Sequence, residues 1–327
     1  MIEKTLRIII LPISTIIAIS ILSPYLIFAH ATTTENYSFI KGWGTQGAAD
    51  GQFVRPTGIA IDNSSNNVFV LDSGNNRVQV FDTHGKFIAK WGSKGSGDGQ
   101  FDSPSGISID PVGNIYITDS GNSRIEKFTS DGSFLTQWKT GSDSSANPSY
   151  LSGISISPSG NVYYTSTLSD EFIKDSTDGK ELLKFGSNGL GDGQFSFPTG
   201  IVNNGFIYIF DNNNHRIQKF VEFETGTYPP TSVRVVAKWG HQGTGDGQFT
   251  RSAGIAVDAS GNVYVADMGN HRIQKFDSNG GFITKWGVSG IDQGKFSSPI
   301  GIAVDVSGNV YVADMTNNNI QVFAQTS

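Results

Sequence analysis

One aromatic position recurs at a nearly constant spacing along the chain, with successive steps of 48, 47, 47, 54 and 47 residues. The six residues at this position are Trp43, Trp91, Trp138, Phe185, Trp239 and Trp286. The chain has five Trp in all, and every one of them occupies this recurring position. A fixed period of roughly 20–50 residues is the signature of a repeat architecture. The spacing therefore predicts six structural repeats.

Each repeat contains four short apolar runs separated by Gly, Asn, Asp or Ser, which is the pattern of strands joined by tight turns. The fifth repeat shows them most clearly, at residues 254–258, 262–267, 272–276 and 282–286. The high glycine content, 40 of 327 residues, suits so many turns. Four strands in about 47 residues make one propeller blade. We therefore expect an all-β fold, a six-bladed β-propeller of four-stranded antiparallel blades.

Three sequence blocks of the fifth repeat resemble the NHL repeat family. They are Gly-Ile-Ala-Val-Asp from Gly254, Gly-Asn-Val-Tyr-Val-Ala-Asp from Gly261, and Asn-His-Arg-Ile-Gln-Lys-Phe from Asn270. The pattern recurs in other repeats, so the resemblance covers residues 39–323. It implies an NHL-type six-bladed propeller. A WD40 ring is disfavoured, because no Gly-His and Trp-Asp pairs occur at the repeat spacing.

The order of strands predicts how the ring closes. The first run, residues 37–43, matches the fourth strand of the other repeats, whereas the chain ends after three strands of the sixth. The N-terminal strand should therefore complete the C-terminal blade and pair beside residues 320–323. Closure of this kind protects strand edges that an open array would expose.

The N-terminal residues have the features of an export signal. Lys4 and Arg7 precede an apolar run at residues 8–28, and Ala-His-Ala at 29–31 matches a cleavage site. Residues 1–31 are predicted to be a signal peptide, residues 32–36 a short linker and residues 37–327 one propeller domain. An uncleaved membrane anchor is the alternative, because the run is long for a signal. Either outcome predicts a secreted or cell-surface protein.

Charge and cysteine content exclude several functions. The formal charge is −6, and removal of residues 1–31 changes it to −7. A nucleic-acid partner is not expected, since phosphate binding needs a concentrated basic surface. The chain has no Cys, which excludes disulfides, thiolate catalysis and the Cys-ligated zinc of RING-type ubiquitin ligases.

The longer loops should gather on one rim of the ring. In a four-stranded meander, the loops after strands two and four lie on the same side. These loops carry recurring Asp and Arg residues and Gly-rich segments, whereas the turns after strands one and three are short. Because binding residues concentrate on loops held by a rigid scaffold, this rim is the predicted ligand face.

Charged residues that flank the turn after strand two are the candidates for ligand binding. They could form a ring for a polar ligand, or they could be ion pairs that close each hairpin, the interpretation that we favour. The candidates are Asp72 with Arg77, Asp119 with Arg124, Asp211 with Arg216, Asp267 with Arg272, and Asp314.

Departures from the repeat mark a second kind of candidate. The third repeat has Ser166 and Glu171 in place of Asp and Arg, and its loop at residues 140–150 lacks the Gly-Asp-Gly-Gln-Phe block. The sixth has Asn319 in place of Arg. The fourth gains about seven residues at 222–232 on the opposite rim. Sequence drift is the favoured explanation, and a ligand site beside repeats three and six is the alternative.

Metal binding has weak support in the sequence, and no cofactor is predicted. His215, His241 and His271 lie on the loop-bearing rim, and three imidazoles can hold a zinc ion. His215 and His271, however, occupy the usual His of the Asn-His-Arg block in the fourth and fifth repeats, as the resemblance to the NHL family implies. The Gly-Asp-Gly-Gln-Phe blocks could suggest calcium, but each supplies a single carboxylate, whereas calcium takes six or more oxygens. These blocks contain Asp50, Asp98, Asp192 and Asp246.

Two functions remain open. The favoured one is a non-catalytic, monomeric extracellular binding or scaffold module that recognises a protein, peptide or glycan through one rim. The alternative is a metal-dependent lyase or hydrolase that acts at the mouth of the central channel, as the resemblance to six-bladed propellers allows. Calcium or zinc would be its cofactor.

Overall fold

The computed structural model describes residues 16–19, 27–30, 35–140, 150–224 and 231–326. Residues 1–35 form a unit of their own, within which β1 (Ile16–Ile19) pairs antiparallel with β2 (Ile27–His30). The predicted signal peptide otherwise lies outside the described residues. Among the residues described, no helix has the length and hydrophobicity that a membrane crossing requires.

From Asn36 onwards, the chain folds into six four-stranded antiparallel sheets, the six blades of a β-propeller. Blade 1 contains β4 (Pro56–Asp62), β5 (Asn67–Asp72), β6 (Arg77–Asp82) and β7 (Phe87–Trp91), and blade 2 contains β8 (Pro104–Ile109), β9 (Ile115–Asp119), β10 (Arg124–Phe128) and β11 (Phe134–Lys139). Blade 3 contains β12 (Leu151–Ile156), β13 (Val162–Ser166), β14 (Glu171–Asp175) and β15 (Glu181–Phe185), and blade 4 contains β16 (Pro198–Asn203), β17 (Ile207–Asp211), β18 (Arg216–Glu224) and β19 (Thr231–Trp239). Blade 5 contains β20 (Ile255–Val257), β21 (Val263–Asp267), β22 (Arg272–Phe276) and β23 (Phe282–Trp286), and blade 6 contains β24 (Pro299–Val304), β25 (Val310–Asp314), β26 (Asn319–Thr326) and β3 (Asn36–Trp43).

Ring closure follows the prediction from the sequence. β3 pairs antiparallel with β26, from Ile320 opposite Trp43 to Thr326 opposite Asn36. The ring of Tyr37 also stacks on Trp286 of blade 5, with centroids 4.2 Å apart. The N-terminal strand thus completes blade 6 and adds an aromatic contact to the preceding blade.

The hydrophobic core lies between the blades. The second strand of each blade is buried along its whole length after the first residue, because both of its faces meet a neighbouring blade. The outermost strands of blades 1 and 2 alternate between exposed and partly buried residues, because successive side chains point to opposite faces and only one face is packed. A cluster that joins Phe69 of blade 1 to Phe101 and Phe128 of blade 2 is typical of these interfaces.

The innermost strands pack around the axis so closely that glycine is required. A Cβ added to Gly106 would lie 2.6 Å from the carbonyl oxygen of Ser152, and one added to Gly254 would lie 2.0 Å from that of Ile300. Any larger residue would force the strands apart. The Gly-Ile pair in every repeat therefore sets the narrow diameter of the central channel.

The inserted residues of the fourth repeat lengthen a hairpin. β18 and β19 each have nine residues, and pairing continues to Glu224 opposite Thr231, while residues 225–230 lie outside the description. Within the extension, the Glu222 carboxylate accepts hydrogen bonds from the Tyr163 hydroxyl at 2.5 Å and from Lys174 Nζ at 2.8 Å. The extended hairpin of blade 4 thus pairs with polar residues of blade 3, the least regular blade.

Candidate functional site

Two classes of loop meet on one side of the propeller, which we call the loop rim. It consists of the segments that connect the outermost strand of one blade to the innermost strand of the next, such as residues 44–55, and of the turns between the second and third strands, such as residues 73–76. Arg77 joins the two classes in blade 1, since it donates hydrogen bonds to the carbonyl oxygens of Ala48, Ala49 and Gln52.

The predicted Asp and Arg candidates are paired with each other across the turn. In blade 1, Arg77 Nε lies 2.7 Å from Asp72 Oδ2, and Asp72 also accepts a hydrogen bond from the Val54 amide. The other three pairs have distances of 2.8 Å; they are Asp119 with Arg124, Asp211 with Arg216, and Asp267 with Arg272. All four carboxylates are fully buried. The pairs thus fasten the loops and do not present charge to solvent.

Burial has an electrostatic consequence for two of these carboxyl groups. Desolvation raises the pKa of Asp119 and of Asp267, although the neighbouring Arg and Asn side chains act in the opposite direction. The ion pairs and the amide hydrogen bonds thus offset part of the cost of burying charge.

The acidic residues of the Gly-rich loops have partners in the outer strands. Asp50 lies 2.5 Å from Lys90 Nζ, and Asp246 lies 2.5 Å from Lys285 Nζ. Asp192 pairs with Lys238, and Asp98 accepts a hydrogen bond from Gln137 at 2.9 Å. The four carboxylates that could have suggested calcium lie in separate blades.

The three candidate zinc ligands lie in separate contacts. His271 Nδ1 lies 2.7 Å from the carbonyl oxygen of Ser297 in the next blade, and His241 Nε2 lies 2.9 Å from Gln248 Nε2. His215 and His271 adopt left-handed backbone conformations at equivalent turns, with φ of 53° and 55°. Within the described ranges, no three His, Asp or Glu side chains are grouped closely enough to hold a metal ion.

The central channel is lined by three consecutive residues from each innermost strand, with a cavity of about 160 Å³. The described lining consists of Gly, Ile, Ala, Ser and Thr. Several of its hydroxyls are used in inter-blade contacts; Ser105 Oγ, for example, donates to the Leu151 carbonyl at 2.8 Å. The wall can offer hydroxyl and carbonyl oxygens to a ligand, and no imidazole or carboxylate is among its described residues.

The residue before the innermost strand, or in blade 5 the residue aligned with it, forms a set that the sequence interpretation missed. These six residues lie where the loop rim meets the channel, and we call them the channel-mouth residues: Arg55, Ser103, Tyr150, Phe197, Arg251 and Ser298. Tyr150 is 59% exposed and Phe197 is 44% exposed, and both Arg residues are exposed. Blades 3, 4 and 5 thus contribute two aromatic residues and one cation in consecutive positions.

Phe197 shares a left-handed backbone conformation with Arg55 and Ser103, whose φ values are both 52°. Its φ is 56°, in the left-handed region, which is rare for a bulky residue. The side chain of Asp170 holds it, because Asp170 Oδ1 accepts a hydrogen bond from the Phe197 amide at 2.7 Å. Asn188 Nδ2 in turn donates to the other oxygen of Asp170. The amides of the equivalent Arg55 and Ser103 likewise donate to Asn318 and Asn76, so this conformation belongs to the repeat, and the exposed aromatic side chain is what distinguishes Phe197.

One signal in the sequence could have pointed to these residues. The positions that follow them repeat, as in Pro-Thr-Gly-Ile and Pro-Ser-Gly-Ile, whereas the channel-mouth position changes from Arg to Ser, Tyr and Phe. Variation beside a fixed block indicates a side chain that the scaffold does not need.

Comparison with known sequences identifies the repeats. A family described as a 6-bladed beta-propeller matches residues 52–150, and the NHL repeat matches residues 195–220, 249–276 and 296–323. The chain is 40% identical over 68 residues to the B-box type zinc finger protein ncl-1 of Caenorhabditis elegans. That alignment covers 19% of this chain and 8% of the relative. The chain thus matches only a small part of the relative's length.

Solved structures share the fold at low sequence identity. A Bacteroides thetaiotaomicron protein of unknown function matches 96% of this chain and 83% of its own, with a TM-score of 0.67 and 16% identity. Catalytically inactive virginiamycin B lyase from Staphylococcus aureus, with quinupristin, matches 94% of this chain and 87% of its own, with a TM-score of 0.56 and 15% identity. The molecule is therefore a six-bladed β-propeller. Its repeats identify it as an NHL repeat protein.

Proposed function

We propose that this propeller is a non-catalytic binding module that recognises a protein or peptide through the channel-mouth side of the loop rim. The observation that carries the proposal is the exposure of Tyr150, Phe197 and Arg251 at equivalent positions of three consecutive blades. Aromatic residues and Arg are the residue types that dominate binding energy at protein interfaces. The export signal predicted for residues 1–31 would place this surface outside the cytoplasm.

The buried ion pairs support the proposal by fixing the loops. Because Arg77 and its equivalents are bonded both to the turn and to three loop carbonyls, the loop rim is held in one conformation before a partner arrives. Preorganisation lowers the entropy that binding would otherwise lose. The Asp and Arg candidates thus support the recognition surface, and the channel-mouth residues form it.

The enzymatic alternative has less support from the site. A lyase or hydrolase at the channel mouth needs groups that bind a metal or move a proton. The described wall of the channel supplies hydroxyls, carbonyls and apolar side chains. Similarity to virginiamycin B lyase at 15% identity concerns the fold.

Selection of ligands with the whole chain tests the proposed surface. We would select binders from a phage-displayed random-peptide library and probe a glycan array with the same protein. The selected peptides would then be titrated against a Tyr150→Ser, Phe197→Ser variant. We expect most peptides to bind this variant at least about tenfold more weakly. Truncation of a hot-spot residue costs about 2 kcal/mol or more of binding free energy.

A matched control uses the opposite rim. Val112 and Val306 lie in turns between first and second strands and are 83% and 74% exposed. A Val112→Ser, Val306→Ser variant should bind the selected peptides as the unaltered chain does. Equal losses in both variants, or no loss in the first, would contradict the proposed surface, and binding on the glycan array alone would contradict the proposed class of partner.

A further inference from the structure

Blade 6 lacks the cation that fills the same place in four other blades. Asn319 lies opposite Asp314 in the strand register, as Arg77 lies opposite Asp72 in blade 1. In blades 1, 2, 4 and 5, the Arg at this position donates from Nε to the buried Asp. The side chain of Asn319 is too short to reach the loop carbonyls, and it has no charge with which to form an ion pair.

Asp314 is buried like its equivalents, but its hydrogen bonds differ from theirs. It is 0% exposed, and its carboxylate accepts hydrogen bonds from the amides of Ser297, Ser298 and Asn317 and from Asn317 Nδ2. Within the described part of the chain, no Lys or Arg forms an ion pair with it. Four N–H donors thus stabilise the Asp314 carboxylate, while its negative charge is left without an ion pair among the described residues.

A cavity lies beside Asn319, at the position where Arg124 lines a cavity in blade 2, and Asp314 is not among the residues that line it. Its volume is about 180 Å³, and its lining includes Asn319, Gln321, Gln293, Gly42 and Trp43. A water molecule takes about 30 Å³, so the cavity has room for a planar group of several heavy atoms. The Oδ1 atom of Asn319 is buried and has no hydrogen-bond partner among the described residues.

The residues that cover this position on its outer side also differ between blade 1 and blade 6. In blade 1, Lys90 lies opposite Gln79 and forms an ion pair with Asp50 of the loop. The residue opposite Gln321 in blade 6 is Gly42. Alignment of the loops at Phe53 and Phe296 places Gln293 where blade 1 has Asp50. Blade 6 has thus lost both the Arg and the Lys–Asp pair that covers it.

The acceptors for a guanidinium are retained. The loop carbonyls that accept the Arg77 hydrogen bonds belong to Ala48, Ala49 and Gln52, and the same alignment gives Ile291, Asp292 and Lys295 in blade 6. The local conformation is also the same. Gly294 N donates to Gln321 Oε1 at 2.8 Å, as Gly51 N donates to Gln79 Oε1 at 2.9 Å.

We propose that the blade 6 cavity binds the guanidinium of an arginine side chain that a protein or peptide partner supplies. Five N–H donors in one plane match the loop carbonyls and Asn319 Oδ1 better than an ammonium does. The buried negative charge of Asp314, opposite Asn319 in the strand register, attracts the cation without a direct contact. The indole of Trp43, which lines the cavity, adds a surface that favours cations. This inference rests on the proposed function for the source of the arginine and names the chemistry that one part of the loop rim recognises.

Calorimetric titration of the whole chain tests the site with defined probes. The first is acetyl-Gly-Arg-Gly-amide, and the others replace Arg by citrulline, which is neutral and nearly isosteric, or by Lys. We expect the Arg peptide to bind at least about tenfold more tightly than either, because citrulline lacks the charge and Lys lacks the planar set of donors. Agmatine distinguishes the source, because equal or tighter binding of this free guanidinium compound would overturn the assignment to a peptide. No binding of the Arg peptide up to roughly 10 mM would overturn the site itself.

Two variants locate the binding. Asn319→Arg fills the cavity with a side chain of the protein itself. It should lower the affinity for the Arg peptide at least about tenfold and raise the melting temperature. Thr316→Arg adds the same charge at an exposed position of the same turn and should leave binding within about twofold. Unchanged binding to Asn319→Arg, or an equal loss in both variants, would overturn the cavity as the site. Library peptides that depend on Tyr150 and Phe197 but are indifferent to Asn319→Arg would leave the proposed function standing and contradict this inference alone.

Discussion

At the scale of single residues, the repeat shows which side chains are out of place. Glu126 occupies the position that Gln79, Gln218, Gln274 and Gln321 hold in other blades. Gln79 accepts a hydrogen bond from a loop amide with Oε1 and donates to a loop carbonyl with Nε2. Glu126 Oε1 accepts the equivalent bond from Gly99, but its buried Oε2 has no hydrogen bond among the described residues and lies 3.4 Å from Arg124 Nη2. Burial raises the pKa of Glu126 to about 7.

Replacement of Glu126 by Gln should therefore stabilise the protein in a pH-dependent way. The ordinary pKa of 4.5 is raised to about 7 in the folded chain, so the stability of the unaltered protein falls as the pH rises through this interval and stays reduced above it. At pH 8 we expect the free energy of unfolding of Glu126→Gln to be higher by about 1–3 kcal/mol. At pH 4 the difference should nearly vanish. Urea denaturation at both pH values measures it.

The control for this prediction is Glu224→Gln, at an exposed strand end. It should leave stability unchanged within about 0.5 kcal/mol at both pH values. If Glu126→Gln were no more stable than the unaltered chain at pH 8, or equally stabilised at pH 4, desolvation of Glu126 would not be the cause.

At the scale of elements, loss of the strand that closes the ring should destabilise the whole propeller. β3 pairs with β26 along nearly its full length, and its Tyr37 hydroxyl lies 3.0 Å from that of Tyr264 in blade 5. Without β3, β26 would become an edge and the face of blade 5 beneath Tyr37 would be exposed. The contacts of this one strand thus join two blades.

Deletion of residues 36–43 should lower the melting temperature by on the order of 10 °C or more, since each kcal/mol corresponds to about 2–4 °C in a chain of this size. Thermal unfolding by circular dichroism measures the shift. A permuted chain is the matched control, because Thr326 lies opposite Asn36. Residues 36–43, joined behind residue 326 by an Asn-Gly turn, should restore most of the loss. An unshifted melting temperature in the deletion would refute closure by this strand as a source of stability.

At the scale of the whole molecule, the sequence was sufficient for the architecture. The Trp spacing predicted six blades and the count of strands predicted the closing strand, because both follow from a period that survives any local variation. Pairing of the rim Asp and Arg residues was the favoured interpretation of the sequence. The bonds from Arg77 to the loop carbonyls could not be predicted, since those carbonyls lie 25 to 29 residues away along the chain. Tyr150 and Phe197 were not predicted, because their position differs from repeat to repeat and no periodic pattern marks it. The contact of Glu222 with Tyr163 was not predicted either, because these residues are 59 positions apart in the sequence.

The central claim is that this NHL propeller acts by recognition at the loop rim and not by metal-dependent catalysis. Elemental analysis of the purified chain by mass spectrometry, combined with thermal unfolding before and after EDTA treatment, tests it most directly. We expect zinc and calcium well below one equivalent and a melting temperature that the chelator leaves unchanged. One equivalent of either metal, with a lower melting temperature after its removal, would contradict the claim and favour the lyase or hydrolase.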